Sequence, residues 1–407
     1  MTEVATQNTG FSEVYVQSQR NRNLYWSLGF LMNLPFLVTL VIGEITGSSI
    51  IYALIFIALT ILSLGKRIYT NAVLSVVLTL ILTYLIDFIF FKKTEYSTYK
   101  FGMFVFKIPF LILIPFLAQN HIRTFFKGYF TSLLLLSLIL SYISFQSTGP
   151  STDYDRLEIG ILNPIWISRL AIEAFIIAWV ILKLKTKYLL LFFASIMPII
   201  YLSGSKGPIV SLMAASIIYI WDNHSIWTRK TKVALVLTFV LAILAVFVAI
   251  KNDSFKSNSF FQERFLTLLH DKAEHNGVEN RNEIWPNTID RLTKQDLPTI
   301  LLGAGVGNFS YLYTGSYNNN RTYPHNILLE VITENGILFF IILTLIICSY
   351  YRKHNNNIFK YLFLYFLWNS FFSGDTILNQ MVFFYLGCMG IPLKTNWLLI
   401  PKFSKRK

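Results

Sequence analysis

Long apolar runs separated by short polar connections set the pattern of this chain. A helix that crosses a bilayer needs about 20 mostly apolar residues. By length and composition about twelve runs qualify, beginning near Leu24, Ile50, Asn71, Phe101, Phe125, Asn163, Tyr188, Pro208, Val233, Asn326, Ile358 and Thr376. Several are short, notably Pro208 to Trp221. The pattern predicts an all-α, polytopic membrane protein. It divides into a polar N-terminal segment (1–23), a membrane bundle of about nine helices (24–250), a long loop (251–324), C-terminal membrane helices (325–393) and a basic tail (394–407). Within the loop, Phe260 to Leu269 and Ile284 to Leu297 group apolar residues as short helices would. Such content argues for packed structure on the membrane surface, and a loop of this length is functional or disordered.

Composition agrees with the pattern. Of 407 residues, 54% are hydrophobic and 14% charged, with a mean hydropathy of +0.53, far more apolar than soluble domains. A net charge of +14 would suit a nucleic-acid binder if it formed one basic face, but the positive residues fall in short loops between spans. Topology explains the excess, and no nucleic-acid partner is expected. Cys348 and Cys388 fall inside predicted spans, so neither a disulfide framework nor a metal cage is implied. The N-terminal segment lacks the pattern of a cleaved signal, and the first span is expected to remain as an anchor.

Short loops rich in Lys and Arg stay cytoplasmic. Alternate connections carry Arg20 and Arg22, Lys66 and Arg67, Arg123 and Lys127, Lys183 to Lys187, Arg229 to Lys232, Arg352 and Lys353, and the basic tail. The opposite connections, around Glu44, Gln146 to Leu162 and Gly374-Asp375, are poorer in positive charge, although Lys92, Lys93 and Lys100 break the rule once. The long loop therefore faces the periplasm or exterior.

That topology collects chemistry on the outer side. Lys206 in Ser203-Gly-Ser-Lys-Gly-Pro208, Arg281, His325 and Arg169 converge there, and cations at such an edge can hold a phosphate or diphosphate. Lys206 is expected at a helix N-terminus, whose backbone donors favour an anion; the plainer reading is a lysine snorkelling to the headgroups. His325 follows Pro324 and is expected in the first turn of the next helix, where the imidazolium is disfavoured and the ring stays a usable base; alternatively it caps that helix. Glu330 and Glu334, at i and i+4, share a face and are costly in a span unless paired or functional. One could orient His325 or partner a cation, while Glu334 reads more simply as a structural pair. Arg169 with Glu173 reads as a salt bridge, with Asp87 and Lys107 as similar structural partners. Gly303-Ala-Gly-Val-Gly lacks the strand context of a dinucleotide loop, and its glycines let the backbone bend or approach a ligand closely. No metal-ligand cluster stands on the outer side, so no cofactor is implied.

These residues in this order resemble the bacterial O-antigen ligase and O-antigen polymerase superfamily. The likeness runs from Gly160-Ile-Leu-Asn-Pro164 through Ser203 to Gly207, Arg281 with Trp285, and the glycine run, to His325-Asn326, Glu330, Glu334 and Gly336. It covers a little over half of the chain; the first 150 or so residues match only as generic membrane helices. The resemblance implies a metal-independent, inverting glycosyltransferase of the bacterial inner membrane, taking undecaprenyl-diphosphate-linked oligosaccharide as donor and acceptor at the periplasmic face. It implies His325 as base and Arg281 as diphosphate ligand, with Lys206 where the family usually has arginine, so that bidentate recognition is lost there. Arg169, Arg264, Asn326, Glu330 and Glu334 are then candidate substrate-binding residues, and a chain-length regulator is a candidate partner. Polymerase is the first reading and ligase to lipid A-core the second. A lipid-linked sugar transporter is the third, although its substrate groups belong near the midplane.

Overall fold

The computed structural model describes residues 21–42, 48–64, 71–146, 164–203, 205–223, 281–317, 322–372, 374–376 and 378–392. Every regular element among them is a helix. In chain order they are α1 (21–31), α2 (Leu34–Ile42), α3 (Ser48–Leu62), α4 (Asn71–Phe90), α5 (Glu95–Leu117) and α6 (Ile122–Gln146). Next come α7 (Pro164–Ile176), α8 (Thr186–Ser203) and α9 (Lys206–Asp222). The long polar segment contributes α10 (Arg281–Thr293), α11 (Leu297–Leu302) and α12 (Phe309–Thr314). The chain then returns through α13 (Ile327–His354), α14 (Lys360–Phe372) and α15 (Met381–Met389).

Four of these are long and apolar enough to cross a membrane, within α4, α5, the α6 region and α13. Most expected starts fall within a few residues of the observed ones. The candidate near Val233, the predicted helix at 260–269 and Arg264 lie outside the described residues. The first predicted span is broken at Met32-Asn33 into α1 and α2. The second loop helix is observed as two, α10 and α11, rather than one run from Ile284 to Leu297.

Two boundaries need correction, for one physical reason. The fourth span starts at Glu95 and not near Phe101: Thr94 and Ser97 form a reciprocal capping box, so the polar stretch Glu95 to Lys100 is helical. The last span has no helix until Met381. The described residues just before it, 374–376 and 378–380, are non-helical. Irregular backbone at membrane depth is tolerated where protein surrounds and satisfies it, and here Asp375, Thr376 and Asn379 are all buried.

α5 and α15 form the centre, α15 being buried along its whole length. α4 shows one side to the surroundings, with Leu74, Leu78, Leu82, Leu85 and Ile89 exposed, while Val73, Val76, Val77, Leu80 and Tyr84 face the core. This is the reverse of a water-soluble helix and suits lipid contact. α1 and α6 cross through glycines: a Cβ on Gly29 would strike the Phe125 carbonyl, and one on Gly128 the Trp26 carbonyl.

Helix ends meet in two sets. Tyr25 of α1 stacks on His121 before α6, Lys360 of α14 pairs with Asp222 of α9 at 2.7 Å, and Asn357 donates to the carbonyl of Met389 at 2.7 Å. In the other set, Asn308 donates to the carbonyl of Lys92 at 2.9 Å, and the Thr376 turn meets the start of α13.

Candidate active site

The turn Tyr323-Pro-His-Asn leads into α13. Asn326 is the N-cap: its Oδ1 accepts from the amides of Leu328 (2.9 Å) and Leu329 (3.3 Å), which satisfies two of the helix's orphan donors. His325 thus precedes the helix instead of sitting in its first turn, because the asparagine side chain takes the capping position. Its backbone is left-handed, with φ of 56°, a conformation that costs a non-glycine residue about 1–3 kcal/mol unless its surroundings hold it. Its ring lies 4.4 Å from that of Tyr323. From the far side, the indole Nε1 of Trp285 donates to the carbonyl of Pro324 at 2.9 Å. Arg281 opens the same helix, α10, one turn before Trp285.

Lys206 opens α9, with Ser205 at the N-cap position. The expected helix N-terminus is there, and the Ser205 side chain makes no capping hydrogen bond to it. The neighbouring Gly207 packs against Phe372 and Asn369 at the end of α14. Arg169 lies beneath them, buried, and donates to the carbonyl of Asn369 at 3.1 Å and to Oδ1 of Asn379 at 3.0 Å. α7, α9, α14 and the turn before α15 therefore meet around this arginine.

Glu330 and Glu334 are both 1% exposed. Each is ion-paired with Lys100 of α5, Glu334 at 2.6 Å. Glu330 also accepts from Thr376, from the amide at 2.8 Å and the hydroxyl at 2.9 Å. The Tyr96 hydroxyl donates to Asp375 in the same turn. Placing these carboxylates on a buried cation explains how two of them stand inside a span.

α13 is broken at Gly336, whose φ of 78° and ψ of 169° leave the helical region. The break frees the carbonyls of Thr333 and Glu334, and the glycine run takes them up: Ala304 and Gly305 donate to them at 2.9 Å each. A Cβ on Gly336 would strike the Leu301 carbonyl, and one on Gly303 the Glu334 carbonyl. The close approach that the glycines permit is to another backbone.

Two expected pairs are replaced. Glu173 accepts from the hydroxyls of Tyr129 and Tyr385, not from Arg169, which the asparagines engage. Asp87 accepts from Nδ2 of Asn335, while the ammonium of Lys107 lies over the Tyr52 ring at 5.2 Å. In both cases a neutral donor on a neighbouring helix reaches the carboxylate, a partner that spacing along one helix cannot reveal. Nothing in the sequence pattern marks Tyr96, Asp375, Thr376 and Asn379 as residues of this network. The one signal was Lys100 as an exception to the charge rule.

The described residues are all-helical, with four helices long and apolar enough to cross a membrane, and a buried polar network packs on the broken helix that follows His325. Residues 189–344 match the family model described as O-antigen ligase. That stretch is consistent with the O-antigen ligase and polymerase superfamily, which the motif order of the chain resembles. The matched stretch holds Lys206, Arg264, Arg281, the glycine run, His325, Asn326, Glu330 and Glu334, but neither Lys100 nor Arg169. No curated protein matches the chain.

Proposed function

We propose that the protein is a polymerase of lipid-linked surface glycan, active at the periplasmic face of the inner membrane. An acceptor sugar hydroxyl gives its proton to His325 as its oxygen attacks the anomeric carbon of the donor. The bond from that carbon to the diphosphate oxygen breaks, with inversion, and undecaprenyl diphosphate leaves. The charge that grows on the leaving group is met by Arg281 and Lys206 through charge-assisted hydrogen bonds. The diphosphate already activates the sugar, so the reaction calls for neither a nucleotide nor a metal.

The observation that carries this reading is the bond from Trp285 to Pro324, which ties the helix opened by Arg281 to the turn that bears His325. General-base assistance contributes about 10²- to 10⁴-fold in rate, and a base held in a fixed turn suits that role. The choice of polymerase over ligase rests on the likeness of the run His325 to Gly336 to polymerases. Purified protein given synthetic undecaprenyl-diphosphate repeat unit should yield a ladder of longer products. Product formed only after lipid A-core is added would make it a ligase, and donor transport across vesicles without transfer would make it a transporter.

A further inference from the structure

Lys100 stands where the charge rule expects few positive residues, and in the structure its side chain is wholly buried against Glu330 and Glu334. Both carboxylates lie on the short segment of α13 between the Asn326 cap and the break at Gly336. That segment does not inherit its direction from the rest of α13, because the helix is interrupted behind it. Lateral bonds hold it instead: Lys100 and Thr376 on Glu330, Lys100 on Glu334, Asp87 to Asn335, and the glycine run on the carbonyls of Thr333 and Glu334. Among the described residues, Lys100 is the one cation ion-paired with it. His325 is at the segment's tip.

We propose that Lys100 is a positioning residue for His325, contributed by a helix outside the family-matched stretch. The proposal rests on His325 acting as the base. Without the ammonium, Glu330 and Glu334 become two buried carboxylates on one face with no counter-charge, the arrangement that buried ion pairs tolerate least. The segment can relieve it by turning toward water or taking up protons, and either change redirects its tip. A misplacement of about 1 Å at a reacting group can lower a rate by about 10²-fold.

The test uses the full chain in lipid nanodiscs with synthetic lipid-linked repeat unit, comparing Lys100→Met, Lys100→Arg and His325→Asn. Lys100→Met should stay monodisperse and lose about 10²-fold in kcat, with KM for the donor changed by less than about threefold; Lys100→Arg should recover most of the loss. Carbethoxylation of His325 by diethyl pyrocarbonate, followed by mass spectrometry, should change rate in Lys100→Met while that of His121 does not. Unchanged kcat, a loss confined to KM, or unchanged labelling of His325 overturns the proposal. Should Lys100→Met fail to fold, Thr376→Val loosens Glu330 without stranding a charge; it should lower kcat at constant KM, and full kcat overturns the proposal. A fully active His325→Asn variant would refute His325 as the base, while the labelling still decides whether Lys100 positions it.

Discussion

Trp285 and Pro324 are joined by an indole-to-carbonyl hydrogen bond of 2.9 Å. The bond fixes α10 against the turn before α13. Trp285→Phe keeps most of the ring and loses the donor. We expect a stability loss of about 1 kcal/mol and a fall of about tenfold in kcat/KM, measured by thermal melts and by transfer of the lipid-linked repeat unit. Full activity would detach α10 from the mechanism.

Asn326 caps α13 through its side-chain oxygen, which gives a way to separate capping from substrate binding. Asn326→Asp caps as well, whereas Asn326→Ala forfeits about 1 kcal/mol. If capping is its role, the aspartate variant keeps activity near that of the unmodified protein and the alanine variant melts earlier. An inactive but stable Asn326→Asp would instead assign the amide to substrate.

Gly336→Ala combines a left-handed φ of 78° with a collision at the Leu301 carbonyl. We expect a loss of more than about 2 kcal/mol, seen as lower yield and an earlier melt in detergent. Gly102→Ala is the contrast: a Cβ there meets nothing within 4 Å, so the change is expected to be neutral or to stabilise the helix by about 0.5–1 kcal/mol.

Helices were legible in the sequence wherever an apolar run was uninterrupted, as in α4, whose expected start at Asn71 is the observed one. Legibility failed where polar residues enter a span and satisfy one another across the bundle. Lys100 meets Glu330 across 230 positions, and Tyr96 meets Asp375 across 279. Periodicity reports only neighbours along one helix, so Glu95 to Lys100 read as a loop and Thr376 as a helix start. The turn at His325 and the glutamates after it were conspicuous because histidine, glutamate and glycine stand together at the end of a long polar segment. The bonds that hold the helix after that turn were not, because Lys100, Glu330 and Thr376 come from three separate stretches of the chain.

Partner choice inside the bundle gives another test. Glu173 holds the hydroxyls of Tyr129 and Tyr385. Tyr385→Phe removes one donor from a buried carboxylate and is expected to destabilise by about 1.5–3 kcal/mol, with KM for the donor unchanged. A rise in KM without an earlier melt would place Tyr385 at the substrate.

The most direct measurement is ladder formation by the purified protein from synthetic undecaprenyl-diphosphate repeat unit, with chelator present, beside His325→Ala and His325→Asn. Asparagine accepts a left-handed backbone readily, so His325→Asn keeps the turn while removing the base. The account predicts a chelator-resistant ladder that falls by about 10²-fold or more in both variants, with His325→Asn melting like the unmodified protein. A ladder at full rate from His325→Asn would contradict it.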